Sequence, residues 1–231
     1  MFEAIRTFLH SIEELRLIAG FTTWLLLSWW VWARGWRIQR RYLVAVGMTP
    51  LARNGIWWAV TLLGAAVVIA GEQRPAAPAL VTVAMVGALS AYVDVKTHRL
   101  PNAYTAVMGC GVATGVLLAA LMDPSPGRIL FKALTGAIIW TAPLWLASRL
   151  PGGMGRGDVK LAPVLGAMLG ILGLDAALFG LVVSFVTAGL AALWKVVVGH
   201  AGTESRIPMG PWLIGGALAS HLAWGVLPDW I

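Results

Sequence analysis

Five short hydrophilic breaks divide an otherwise apolar chain: "EQRPAAP" (72–78), "KTHRLPN" (96–102), "DPSPG" (123–127), "PGGMGRGD" (151–158) and "GHAGTESRIPMGP" (199–211). The runs between them are long enough to cross a bilayer, whose hydrocarbon core of about 30 Å takes about 20 apolar residues per helix. Lipid offers backbone amides no partners, so each crossing run must satisfy its own hydrogen bonds, as a helix does. The pattern predicts spans at roughly 17–34, 56–71, 79–94, 103–122, 128–148, 159–173, 175–197 and 211–227. The weakest break, "GLD" at 173–175, leaves open whether 159–173 and 175–197 are one bent unit, and Pro163 should disturb the first turns there. The expected fold is all-α: one polytopic membrane bundle of about eight transmembrane helices over 1–231, with no room for a separate soluble domain.

Composition agrees, with 59% hydrophobic and 12% charged residues in 231. The net charge of +7 suggests nucleic acid in a soluble protein, but no basic stripe here is interleaved with aromatics. No nucleic-acid partner is expected. Instead the lipid bilayer is the partner, and the cations follow the positive-inside rule. With the N-terminus outside, the inner loops hold Arg34, Arg37, Arg40, Arg41, Arg53, Lys96, Arg99, Arg149, Arg156, Lys160, Lys195 and Arg206. The outer segments hold only Arg6, Arg16, Arg74, Arg128 and Lys132. That imbalance puts the glycine-rich 151–158 loop in the cytoplasm. The start, "MFEAIRTFLHSIEELRLI", sets Phe2, Ile5, Phe8, Leu9, Ile12 and Leu15 at helical spacing between charges. It predicts an amphipathic interfacial helix over 1–16 rather than a signal peptide. The lone Cys110 excludes an intramolecular disulfide and a multi-cysteine zinc site. Gly111–Gly115 and Gly166–Gly170 suit close helix packing.

The acids sort more sharply than the cations. Glu3, Glu13, Glu14, Glu72, Asp123, Asp175 and Asp229 fall outside; only Asp94, Asp158 and Glu204 fall inside. Asp94 ends the third span and Asp158 opens the sixth, so two carboxylates from different helices share one depth at the inner boundary. Carboxylates at the edge of lipid are costly and are usually paired or functional. Facing each other, they cannot both ionise and would share a proton. The ionised member can then deprotonate water while the protonated one polarises a peptide carbonyl. Gly155 and Gly157 would let a substrate backbone pass close to Asp158.

Plainer roles compete at each position. Asp94 can pair with Arg99, and Asp158 with Lys160 or Arg156, as snorkelling ion pairs. Asp94 and His98 share a helix face if the helix continues, but two ligands do not make a metal site. No metal and no cofactor are expected. A proton-coupled transporter could use the same aspartates as a relay, and a catalytically silent assembly scaffold would carry them unused.

Three motifs in order across roughly 80–220 resemble those of the type IV prepilin peptidases. "GMGRGDVKLAPVLGAMLG" is similar to their G-x-G-D segment. In "DVKTHRLPN", Asp94 is followed at the family's spacing by Pro101 and Asn102. "RIPMGPWLIGGAL" resembles the segment before the last span and contains Pro208 and Gly210. The resemblance implies a polytopic aspartic protease of prokaryotic cytoplasmic membranes. Such enzymes remove the short basic leader of prepilin or pseudopilin-like substrates at the cytoplasmic face, just before the substrate's hydrophobic segment. It implies Asp94 and Asp158 as the catalytic pair, with Gly155, Gly157, Lys160, Lys96, Pro101, Asn102, Pro208 and Gly210 as supporting positions. Many family members also N-methylate the new terminus and carry two C-x-x-C pairs between the first two spans. Here that stretch, "RGWRIQRRYLVAVGMTPLARNG", has no cysteine, so methyltransferase activity is not expected. The sequence names neither the individual substrate nor the oligomeric state.

Overall fold

The computed structural model describes residues 2–70, 76–150, 153–198 and 208–224, with side chains from Glu14 onward. It is all-helical over those residues: α1 (Phe2–Trp30), a π-helical segment (Val31–Gly35), α2 (Trp36–Val44), α3 (Arg53–Ala70), α4 (Ala77–Thr97), α5 (Asn102–Met122), α6 (Pro126–Ala147), α7 (Arg156–Gly170), α8 (Leu174–Val197) and α9 (Gly210–Ala223). Each apolar run read from the sequence holds one helix. Among the described residues, six stretches are long and apolar enough to cross a membrane; the first is the continuous unit Glu14–Val44, which takes in α2. The other two helices, α7 with 15 residues and α9 with 14, fall below that length.

Three details differ from, or settle, the sequence expectations. The backbone is helical from Phe2 without a break into the first span, while the side chains of the expected interfacial helix over 1–16 lie mostly outside the described ones. The weak "GLD" break does separate two helices, because Gly173 sits at φ +150°, where a side chain would be strained. Pro163 does not delay α7, which begins at Arg156 and runs through it.

α4 is the hub. Of its apolar window 78% is buried, against 22–33% for the other candidate spans, and it packs against α1, α3, α5 and α9. Its Ala, Val, Leu and Met side chains fill the core on all sides, as expected of a helix that is hydrophobic all round. The small-residue spacings work as read. Gly111 and Gly115 of α5 meet Thr82 and Ala79 of α4, and Gly166 and Gly170 of α7 lie directly on the α6 backbone at Gly136 and Lys132. No side chain fits between α6 and α7 there, so the C-terminal half of α7 packs backbone to backbone on α6. On the far side, the buried Tyr104 hydroxyl of α5 donates to the Gly35 carbonyl at 2.8 Å. That carbonyl lies in the π-helical turn, where the regular i→i−4 bonding is interrupted.

Candidate active site

The motif "DVKTHRLPN" is a helix–turn–helix junction, and its spacing follows from that. α4 carries Asp94 in its last turn and stops at His98, whose φ of +51° is left-handed and whose N–H bonds the Asp94 carbonyl at 2.8 Å. Pro101 is extended and caps α5, its carbonyl accepting the Tyr104 and Thr105 amides. Asn102 begins α5. The seven and eight residues from Asp94 to Pro101 and Asn102 finish one helix, turn the chain and start the next.

The glycine-rich loop delivers the second carboxylate. Gly155, extended at φ −66°, ψ 145°, is the N-cap of α7 and Asp158 lies in its first turn. The Asp158 carboxylate lies beside the Gly155 backbone, whose N–H favours its ionised form, at the position of the acidic member of a capping box. A side chain on Gly155 would bring its Cβ to 3.2 Å from Asp158 Oδ2. The third motif supplies the other support. Gly210 opens α9 and donates its N–H to Asp94 Oδ2 at 3.0 Å. A Cβ at Gly210 would sit 2.7 Å from that oxygen, so only glycine allows the contact. Each carboxylate therefore lies at the N-terminus of a helix, Asp158 within its own and Asp94 against α9, where free amides and the helix dipole favour negative charge.

Asp94 is 5% exposed and Asp158 is 8% exposed. Both line a cavity of about 760 Å³, together with His98, Gly155 and Pro208. The cavity continues past Met154, Ala147 and Leu150 to a wall of α8. Asp158 lies outside the six candidate spans; burial, and after it the neighbouring Asp94 carboxylate, push it up to about 7. At neutral pH the pair can thus hold one proton between them.

The structure does not form the expected ion pairs. Among the described residues no cation lies within ion-pair distance of either carboxylate. Lys160 instead donates to Asn102 Oδ1 at 3.1 Å, an exposed link between the starts of α7 and α5. Lys96 is exposed on α4 and is not among the residues lining the cavity. His98 lies past the end of α4, so it does not continue that helix face, although it does line the cavity. Among the described residues, no group of three or more His, Cys, Asp and Glu could hold a metal.

Gly157 also differs from expectation. It lies inside α7 without a positive φ and is not part of the cavity lining. A Cβ there would meet Leu100 Cβ at 3.0 Å. Leu100 Cδ2 also lies 3.0 Å from where a Cβ of Gly210 would be. Leu100 is therefore wedged between the glycines of the second and third motifs, and their missing side chains let α7 and α9 close on the turn that follows Asp94. Sequence reasoning missed Leu100, and it missed the α8 wall.

Residues 80–194 match the type IV leader peptidase family. Prepilin leader peptidase/N-methyltransferases from two strains of Burkholderia pseudomallei are each 30% identical over 164 residues, 69% of this chain and 50% of theirs. The enzyme of that name from Xanthomonas campestris pv. campestris is 32% identical over 124 residues, 52% of this chain and 41% of its own. The chain spans about half the length of the curated relatives it matches. No solved structure matches it.

Proposed function

Because the chain belongs to the type IV leader peptidase family through residues 80–194, we propose that it is a membrane-embedded aspartic endopeptidase. It removes the basic leader from prepilin-like substrates at the cytoplasmic face of a prokaryotic cytoplasmic membrane. One observation carries this reading: two buried carboxylates from different helices open onto one cavity, each at a helix N-terminus, with Asp94 accepting the Gly210 N–H.

The roles divide by environment. Asp94, accepting the Gly210 amide, is the ionised base, and Asp158 carries the shared proton. Asp94 takes a proton from water as the water oxygen bonds to the scissile carbonyl carbon. Asp158 gives its proton to the carbonyl oxygen, forming a tetrahedral diol. On collapse, Asp94 passes its proton to the leaving nitrogen, the C–N bond breaks, and a diol hydroxyl returns a proton to Asp158. One water is consumed and the dyad is restored. The positive-inside rule keeps the basic leader in the cytoplasm, so the bond at dyad depth lies just before the substrate's apolar helix. A glycine before the cut would unwind that helix locally at low cost.

Against a proton relay, α4 and α7 carry no Asp, Glu, His, Lys or Arg further from this end than Asp94 and Lys160. Methylation is not part of the proposal, since the stretch between the first two spans has no cysteine. Incubating the purified chain with a prepilin-like peptide in detergent tests the reading. It predicts a single cut directly before the apolar segment; an intact peptide contradicts it.

A further inference from the structure

The dyad occupies only one end of its cavity. The rest runs along α8, where Phe185, Ala188, Gly189 and Ala192 line it. These positions, at i, i+3, i+4 and i+7, form one face of a helix and cover about 10 Å at 1.5 Å per residue. Ala192 is the nearest of them to the C-terminal end of α8, which lies at the same end of the bundle as Asp94, so the face descends from the dyad toward Phe185. Three of its four residues are small, and a Cβ added at Gly189 would meet nothing within 4 Å. Ala147 and Leu150, at and just past the C-terminal end of α6, line the cavity beside the dyad. The charged and titratable lining residues, Asp94, His98 and Asp158, lie toward the Ala192 end of the α8 face, and none lies toward Phe185. A cavity acidic at one end and apolar at the other matches a chain that is basic before the cut and apolar after it.

We propose that this face of α8 receives the first two helical turns of the substrate after the scissile bond, and that the missing side chain of Gly189 sets how bulky those residues can be. The proposal deepens the peptidase reading and rests on it. The occupant is the substrate's own apolar segment, because the apolar α8 face is continuous with the dyad and the acidic end suits the basic leader.

The test uses the full chain and two peptides that share a basic leader and a glycine before the cut, with Phe or Ala as the first residue after it. Gly189→Leu projects into open space, so the helix can accommodate it. It should lower kcat/KM for the Phe peptide at least tenfold more than for the Ala peptide. Val186→Leu, on the 52% exposed outer face of α8, should leave both unchanged. In a parallel arm, Asp158→Asn protein is irradiated with a peptide carrying benzophenone just after the cut, and adducts should map to residues 185–192. Equal loss on both peptides, or adducts away from α8, would overturn the proposal. A peptide that wild-type protein leaves uncut but that still crosslinks to α8 supports the wall while sinking the peptidase reading.

Discussion

The Gly210 amide donates to the Asp94 carboxylate at 3.0 Å, joining residues 116 positions apart in the chain. This bond explains why a glycine-containing segment before the last helix accompanies the two aspartate motifs: it brings the N-terminus of α9 against Asp94. Gly210→Ala would drive a methyl group to 2.7 Å from Asp94 Oδ2. A displacement approaching 1 Å costs about 100-fold in rate, and a loss of that size is expected in kcat. The melting temperature in detergent should move little, because α9 remains packed on α8 and α4.

Leu100 and Gly157 should behave as a coupled pair. Gly157→Val pushes on Leu100 and so on the turn that holds α4 to α5, and a tenfold or larger loss of cleavage is expected. Leu100→Ala in the same chain removes Cγ and Cδ1, at 3.6 and 3.3 Å from the added Cβ, leaves only the Cβ contact, and should restore part of the activity. A double-mutant cycle reads this as non-additivity, which neighbours in contact show and independent sites do not. Strict additivity would mean that the two side chains do not press on each other.

Cleavage should fall on the alkaline side. Burial and Asp94 raise Asp158 to about 7, above the usual carboxylate range, so its proton is present below that value and lost above it. Because the protonated form polarises the carbonyl, kcat/KM should decline with a limb near pH 7 and approach a tenfold loss per unit beyond it. A rate that keeps rising through pH 9 would assign the proton elsewhere.

The Lys160–Asn102 link is exposed at both partners, and exposed polar pairs contribute about 0–1 kcal/mol. Lys160→Met should therefore change the melting temperature and the cleavage rate only slightly, by less than about threefold. Mass spectrometry of the wild-type product, with S-adenosylmethionine supplied, should find a free amine at the new terminus. One added methyl group would return methyl transfer to this chain.

The helices and the shared depth of the aspartates were legible because lipid imposes length and internal hydrogen bonding on every span. The eight-residue reach from Asp94 to Asn102 was legible as a motif, but its cause, a left-handed stop at His98 and a proline cap at Pro101, appeared only in three dimensions. Leu100 was hidden because an apolar residue in a turn carries no sign of being wedged between two distant glycines. The α8 wall was hidden for another reason. Lipid tails are as apolar as a protein core, so Ala188 beside a cavity and Leu190 beside lipid look alike in sequence. For Gly157 the structure supplies a reason that the sequence did not offer: its missing side chain makes room for Leu100.

The dyad is the central claim, and single-residue exchange tests it most directly. Asp94→Asn, Asp158→Asn and the double variant, each purified and shown to unfold at the wild-type temperature, are compared in cleavage of one prepilin-like peptide. Groups that act as a unit lose their effect together, so each single variant should abolish cleavage and the double should be no worse. Substantial cleavage by either single variant would remove that aspartate from the chemistry.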